Sequence, residues 1–85
     1  MEKALVIDER DNVATAISQL KSGEVVSLSL GSNRLDVQLT DDIPFGHKFA
    51  IRHIDKGDDV MKYGERIGRS LSVINVGNHV HTHLA

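Results

Sequence analysis

The chain is 85 residues long and 40% apolar, and its ten Lys plus Arg against twelve Asp plus Glu give a formal net charge of −2. That length allows one domain with one core, and the slight acidic balance argues against DNA or RNA as a partner. The lack of cysteine removes disulfide frameworks, thiol nucleophiles and thiolate metal sites.

No apolar run reaches membrane-spanning length, and the start Met1-Glu2-Lys3-Ala4-Leu5-Val6-Ile7-Asp8 has no signal-peptide core. A cytoplasmic domain over 1–85, with no membrane contact, is therefore expected. Val6-Ile7 reads as an opening strand. A helix is predicted next: Asp11 can cap it, Val13, Ile17 and Leu20 recur at helical spacing, and Gly23 stops it. Val25, Val26, Leu28 and Leu30 form an apolar strand, Gly31 to Arg34 a turn, and Leu35, Val37 and Leu39 alternate strictly. Phe49 and Ile51 alternate beyond the Gly46 turn, Asp55-Lys56-Gly57-Asp58 turns again, and Val60-Met61 leads into Tyr63-Gly64. Leu71, Val73 and Ile74 suggest a short strand, and Val76-Gly77-Asn78 turns into a last strand, His79 to Leu84. No internal repeat or linker is expected. The reading is a mostly β domain with many turns and one helix near its start.

Three clusters could carry chemistry. From Ser70 to the end there is no charged residue, yet three of the five histidines, His79, His81 and His83, lie there. On an extended strand their period of two points all three side chains to one face, where two imidazoles could share a divalent metal. The same pattern suits polar residues on an exposed strand or at an interface. The second cluster, Pro44-x-Gly46-His47-Lys48, sets a turn and then a His and a Lys at a strand start. Adjacent strand residues face opposite ways, so His47 and Lys48 share a site only if the turn re-aims one of them. The third, Lys62-Tyr63-Gly64-Glu65-Arg66-Ile67-Gly68, lacks the ending of a phosphate loop; turning explains its glycines, although Lys62 and Tyr63 could meet a ligand.

Taken in order, Asp11-Asn12-Val13-Ala14, Ile43-Pro44-x-Gly46-His47-Lys48-x-Ala50, Gly57-Asp58-x-Val60-x-Lys62-Tyr63-Gly64-x-x-Ile67-Gly68 and Val76-Gly77-x-His79-Val80-His81-Thr82-His83 resemble the N-terminal domain or small subunit of the altronate and galactarate dehydratase family. The small subunit of sulfolactate sulfo-lyase is similarly patterned. The resemblance implies an SAF-type β-clip fold. It also implies a lyase that removes water from sugar acids to give 2-keto-3-deoxy acids. A divalent metal, iron(II) or manganese(II), would be shared with a large catalytic subunit or domain whose site this domain completes.

On matching positions the resemblance implies His47 and Lys48 as catalytic residues, with His47 in acid–base work and Lys48 on the substrate carboxylate. Lys62 and Tyr63 become further substrate contacts, and His81 and His83 metal ligands. Such chemistry needs a base for the proton beside the carboxylate and positive charge for the developing enediolate. The chain departs from the family in ending Leu84-Ala85 after the last His, where an Asn is usual, and in having Asn78 where an acid is more common. The alternatives are a sulfo-lyase small subunit releasing bisulfite and a non-catalytic module binding carbohydrate or protein.

Overall fold

The computed structural model describes residues 2–80. Eight strands follow in chain order: β1 (Ala4–Leu5), β2 (Val13–Ala16), β3 (Val25–Leu30), β4 (Asn33–Gln38), β5 (Lys48–Ala50), β6 (Asp59–Lys62), β7 (Glu65–Arg69) and β8 (His79–Val80). A central antiparallel sheet runs β1-β2-β5-β8, and β3–β4 and β6–β7 are separate two-stranded hairpins.

Alternation along the central strands distributes their side chains between two cores. Ala4, Ala14, Ala16 and Phe49 pack with Val26, Leu28, Val37 and Leu39 under the β3–β4 hairpin. Val13, Ala50 and Val80 face the other way and pack with Val60 of β6, together with Ile54 and Ile74. The central sheet is thus covered by one hairpin on each face.

This double burial overturns the predicted helix: among the described residues there is none, and Val13–Ala16 is strand β2. In a strand covered on both sides, successive residues are buried regardless of period, so Val13, Ala14 and Ala16 are all buried. The small alanines let the Phe49 layer close over β2, and their helix propensity loses to tertiary packing. Asp11 caps no helix. Its carboxylate is buried and accepts the Gly64 N–H (2.8 Å) and the Asp8 N–H (3.2 Å). The expected strand at Leu71 to Ile74 does not form either: Ile74 makes a single bridge to Ile54, and Leu71 and Val73 are exposed. Beyond Val80 the last predicted strand lies outside the described residues. No helix among them is long and apolar enough to cross a membrane.

A repeat does exist, in the turns. Leu20, Ile43, Ile54 and Ile74 are each buried bridge residues, paired Leu20 to Ile43 and Ile54 to Ile74. Each is followed by a four-residue turn with glycine third: Lys21-Ser22-Gly23-Glu24, Pro44-Phe45-Gly46-His47, Asp55-Lys56-Gly57-Asp58 and Asn75-Val76-Gly77-Asn78. In all four the last N–H returns to the first carbonyl at 3.0–3.1 Å, and the glycine φ is between 84° and 90°, as a type II turn requires. Each glycine N–H also reaches the carbonyl of an opposed residue, whose own N–H bonds the carbonyl after the glycine; this is a glycine-led β-bulge. The composition varies so much between copies that only the glycine spacing betrays the repeat. At Gly77 the need is also steric, since a Cβ would collide with the Gln38 carbonyl.

Candidate functional site

Register separates the residues that the sequence suggested as one site. Lys48 opens β5 opposite Thr15 and Val80, on the face covered by β6–β7. His47 precedes it and returns to the β3–β4 side, where it meets His79, the partner of Phe49. The chain therefore builds two clusters around the end of β5.

The first cluster is cationic. Lys48 is half-buried, and burial together with the positive charge of Lys62 lowers its pKa from the ordinary lysine value. Neither lysine forms an ion pair among the described residues. The Lys62 Nζ lies 4.8 Å from the centre of the Tyr63 ring, within cation–π range. Tyr63 itself sits at φ 59° beside Gly64 at φ 75°, the two left-handed positions of a two-residue hairpin loop. Such loops favour Asn-Gly, and an aromatic residue held left-handed costs about 1–3 kcal/mol. Two like charges placed together without an ion-pair partner among the described residues, beside a strained aromatic ring, suit an anionic ligand. Thr15, between Leu5 and Lys48 in the same cross-strand row, adds a hydroxyl-bearing residue that the sequence reading did not single out.

What attaches this hairpin is polar. Besides the Asp11 contacts, the Asn12 side chain accepts the Met61 N–H (2.8 Å) and donates to the Asp59 carbonyl (2.9 Å). The Asp11-Asn12 pair thus pins β6–β7, and with it Lys62 and Tyr63, to the end of β2.

In the second cluster the His47 Nδ1 and His79 Nε2 are 2.8 Å apart. The ring planes differ by 15° and the ring centres are 5.0 Å apart. That separation is close to the N···N distance plus the two ring radii, so the nitrogens meet head-on along the line of centres. The rings are edge to edge, sharing a hydrogen bond rather than lying face to face. The His79 backbone N–H is taken by the Asp41 carboxylate at 2.9 Å. His79, which the sequence grouped with His81 and His83, pairs here with His47, a pairing set by the β5–β8 register.

His81 and His83 lie outside the described residues. Among the described residues no group of three His, Asp or Glu could hold a metal ion, and the head-on geometry of His47 and His79 does not converge on a common ion. His53, hydrogen-bonded to Asp55 (2.7 Å) and Asn75 (3.2 Å), is exposed and belongs to neither cluster. A groove of about 340 Å³ is lined by Glu2, Lys3, Val25, Val26, Ser27 and Arg34, none of them a candidate residue.

Comparison with known proteins identifies the family of the whole chain. The model of the altronate/galactarate dehydratase SAF domain matches residues 2–85. An altronate dehydratase of Bacillus subtilis is 34% identical over 83 residues, covering 98% of this chain and 16% of that protein. One from Escherichia coli is 45% identical over 73 residues, 86% of this chain and 14% of that protein. The (2R)-sulfolactate sulfo-lyase subunit alpha of Paracoccus pantotrophus is 48% identical over 54 residues, 61% of this chain and 81% of that subunit. The chain thus spans about one-sixth of the two dehydratases.

Proposed function

Because the chain belongs to the SAF domain family of altronate/galactarate dehydratases, we propose that it serves as the small domain or subunit of a sugar-acid dehydratase and completes the site of a large catalytic chain. The observation that carries this reading is the Lys48–Lys62 pair, half-buried and without an ion-pair partner among the described residues. A sugar-acid carboxylate supplies the missing negative charge.

In the reaction, a base removes the proton on the carbon beside the carboxylate. Charge then builds on the carboxylate oxygens as an enediolate, and the adjacent hydroxyl leaves as water once an acid protonates it. The resulting enol tautomerises to the 2-keto-3-deoxy acid. Lys48 and Lys62 would stabilise the enediolate where its charge develops, with Tyr63 and Thr15 bordering the substrate. His47 enters from the end of the sheet, so its acid–base role requires the substrate to lie across that end rather than flat on either face. The iron(II) or manganese(II) expected from the resemblance finds no ligand set among the described residues, and no step here is routed through it. His81 and His83 remain its proposed ligands, with the large chain supplying the rest.

The test is reconstitution with a large dehydratase chain and assay on altronate and galactarate. The complex should turn over a sugar acid, and this chain alone should not. Turnover by the isolated chain, or none by the complex on any sugar acid, would overturn the proposal. A second reading, release of bisulfite from a sulfonate, draws support from the 48% identity to the sulfo-lyase subunit; bisulfite in the same assay identifies it.

A further inference from the structure

The four glycine turns form an internal control series. In three of them the side chain at the fourth position accepts the backbone N–H of the first: Glu24 from Lys21 (3.2 Å), Asp58 from Asp55 (3.3 Å) and Asn78 from Asn75 (2.9 Å). The turn closes on itself twice, once through backbone and once through side chain. In the remaining turn the first residue is Pro44, which has no N–H to give, and the fourth is His47. Its Nδ1 stands as many bonds from Cα as the acceptor oxygens of Asp58 and Asn78, and it meets His79 instead.

We infer that Pro44 and His79 are positioning residues for His47. Pro44 withholds the backbone donor that would claim Nδ1, and His79 takes that nitrogen, so the His47 ring is oriented by a second imidazole and not by its own turn. A ring locked in the turn would be a strut; a ring held by a second imidazole keeps a fixed orientation while its hydrogen bond couples the protonation of the two rings. The backbone of this turn is the same as in its three counterparts, so the difference lies in the missing N–H and not in a different loop. The inference rests on His47 as the acid–base group for its catalytic meaning, while its geometry stands apart from that reading.

The experiment is made first on the ¹⁵N-labelled full chain. A scalar coupling across the hydrogen bond between His47 Nδ1 and His79 Nε2 is expected, and Pro44→Ala should abolish it while giving residue 44 an amide protected from exchange. Absence of coupling in the parent chain, or its survival in Pro44→Ala, would overturn the inference. Should Pro44→Ala fold poorly, a thermal-midpoint cycle with His47→Asp decides. The Asp substitution should cost less in combination with Pro44→Ala than alone, since the restored N–H gives the carboxylate the donor used at Asp58. Strict additivity counts against the idea. In the reconstituted complex, Pro44→Ala should lower kcat at least about tenfold with KM unchanged. A lost coupling with kcat unaltered would retain the geometry and reject only the catalytic role of His47.

Discussion

The two hairpins that cover the central sheet are attached by different physics. The β3–β4 hairpin contributes Val26, Leu28 and Val37 to the main core, joined by Leu39 just past its end. From β6–β7 only Val60 enters the second core, while Ile67 stays exposed. That hairpin is held by Asp11 and Asn12, whose side chains engage the backbone at Gly64, Met61 and Asp59. An apolar attachment is strong and insensitive to direction. A few hydrogen bonds hold less but fix position, which suits the hairpin that carries Lys62 and Tyr63.

The contrast is sharpest under substitution. Leu28→Ala should cost about 2–5 kcal/mol, lowering the thermal midpoint of the whole chain with both hairpins losing amide protection together. If only β3–β4 loosened, the hairpin would not belong to the main core in any energetic sense. Lys48→Met should raise KM for the sugar acid about 10–100-fold, because a hydrogen bond between charged partners is worth about 1.5–3 kcal/mol, yet leave the fold as stable or more so. Burial and the charge of Lys62 hold the Lys48 pKa below the ordinary lysine value. The fold therefore gains stability as pH rises through that lowered value, a gain the variant should lack in alkaline thermal melts. A large loss of stability at neutral pH would mean that Lys48 is structural.

Asp11→Ala should cost about 1–3 kcal/mol by leaving the Gly64 N–H without its acceptor. Hydrogen exchange should quicken at Gly64 and Asp8 and leave β3–β4 protected; a uniform change would erase the distinction between the two attachments. The smallest effect concerns the loop that carries Asp11. Hydrogen bonds from the side chain and backbone of Arg10 lower the Asp8 pKa to about 2. The stabilisation is full above the unfolded value of 3.8 and is lost as pH falls through about 2. In Arg10→Gln the acid limb of a pH–stability curve should flatten slightly, an exposed pair contributing little.

Much of this was legible along the chain. Alternation in Leu35, Val37 and Leu39, the glycine turns and the spacing of the family motifs all led to a mostly β domain, and those motifs also suggested His47, Lys48, Lys62, Tyr63, His81 and His83 as candidate site residues. The helix at Val13 to Leu20 was misread because Val-Ala-Thr-Ala offers no period of two: β2 is buried on both faces, and burial on both faces comes from hairpins distant in sequence. The repeat went unseen because its four turns share only glycine and a preceding aliphatic residue.

Sequence alone determined that the fold is mostly β, where most of its turns fall and which residue types are available for chemistry, since glycine spacing, alternation and composition are local properties. Tertiary structure alone decided that Lys48 joins Lys62, that His47 joins His79, and that Asp11 pins a hairpin instead of capping a helix. Those pairings depend on strand register, and register sets which face each residue takes only when strands far apart in the chain come together.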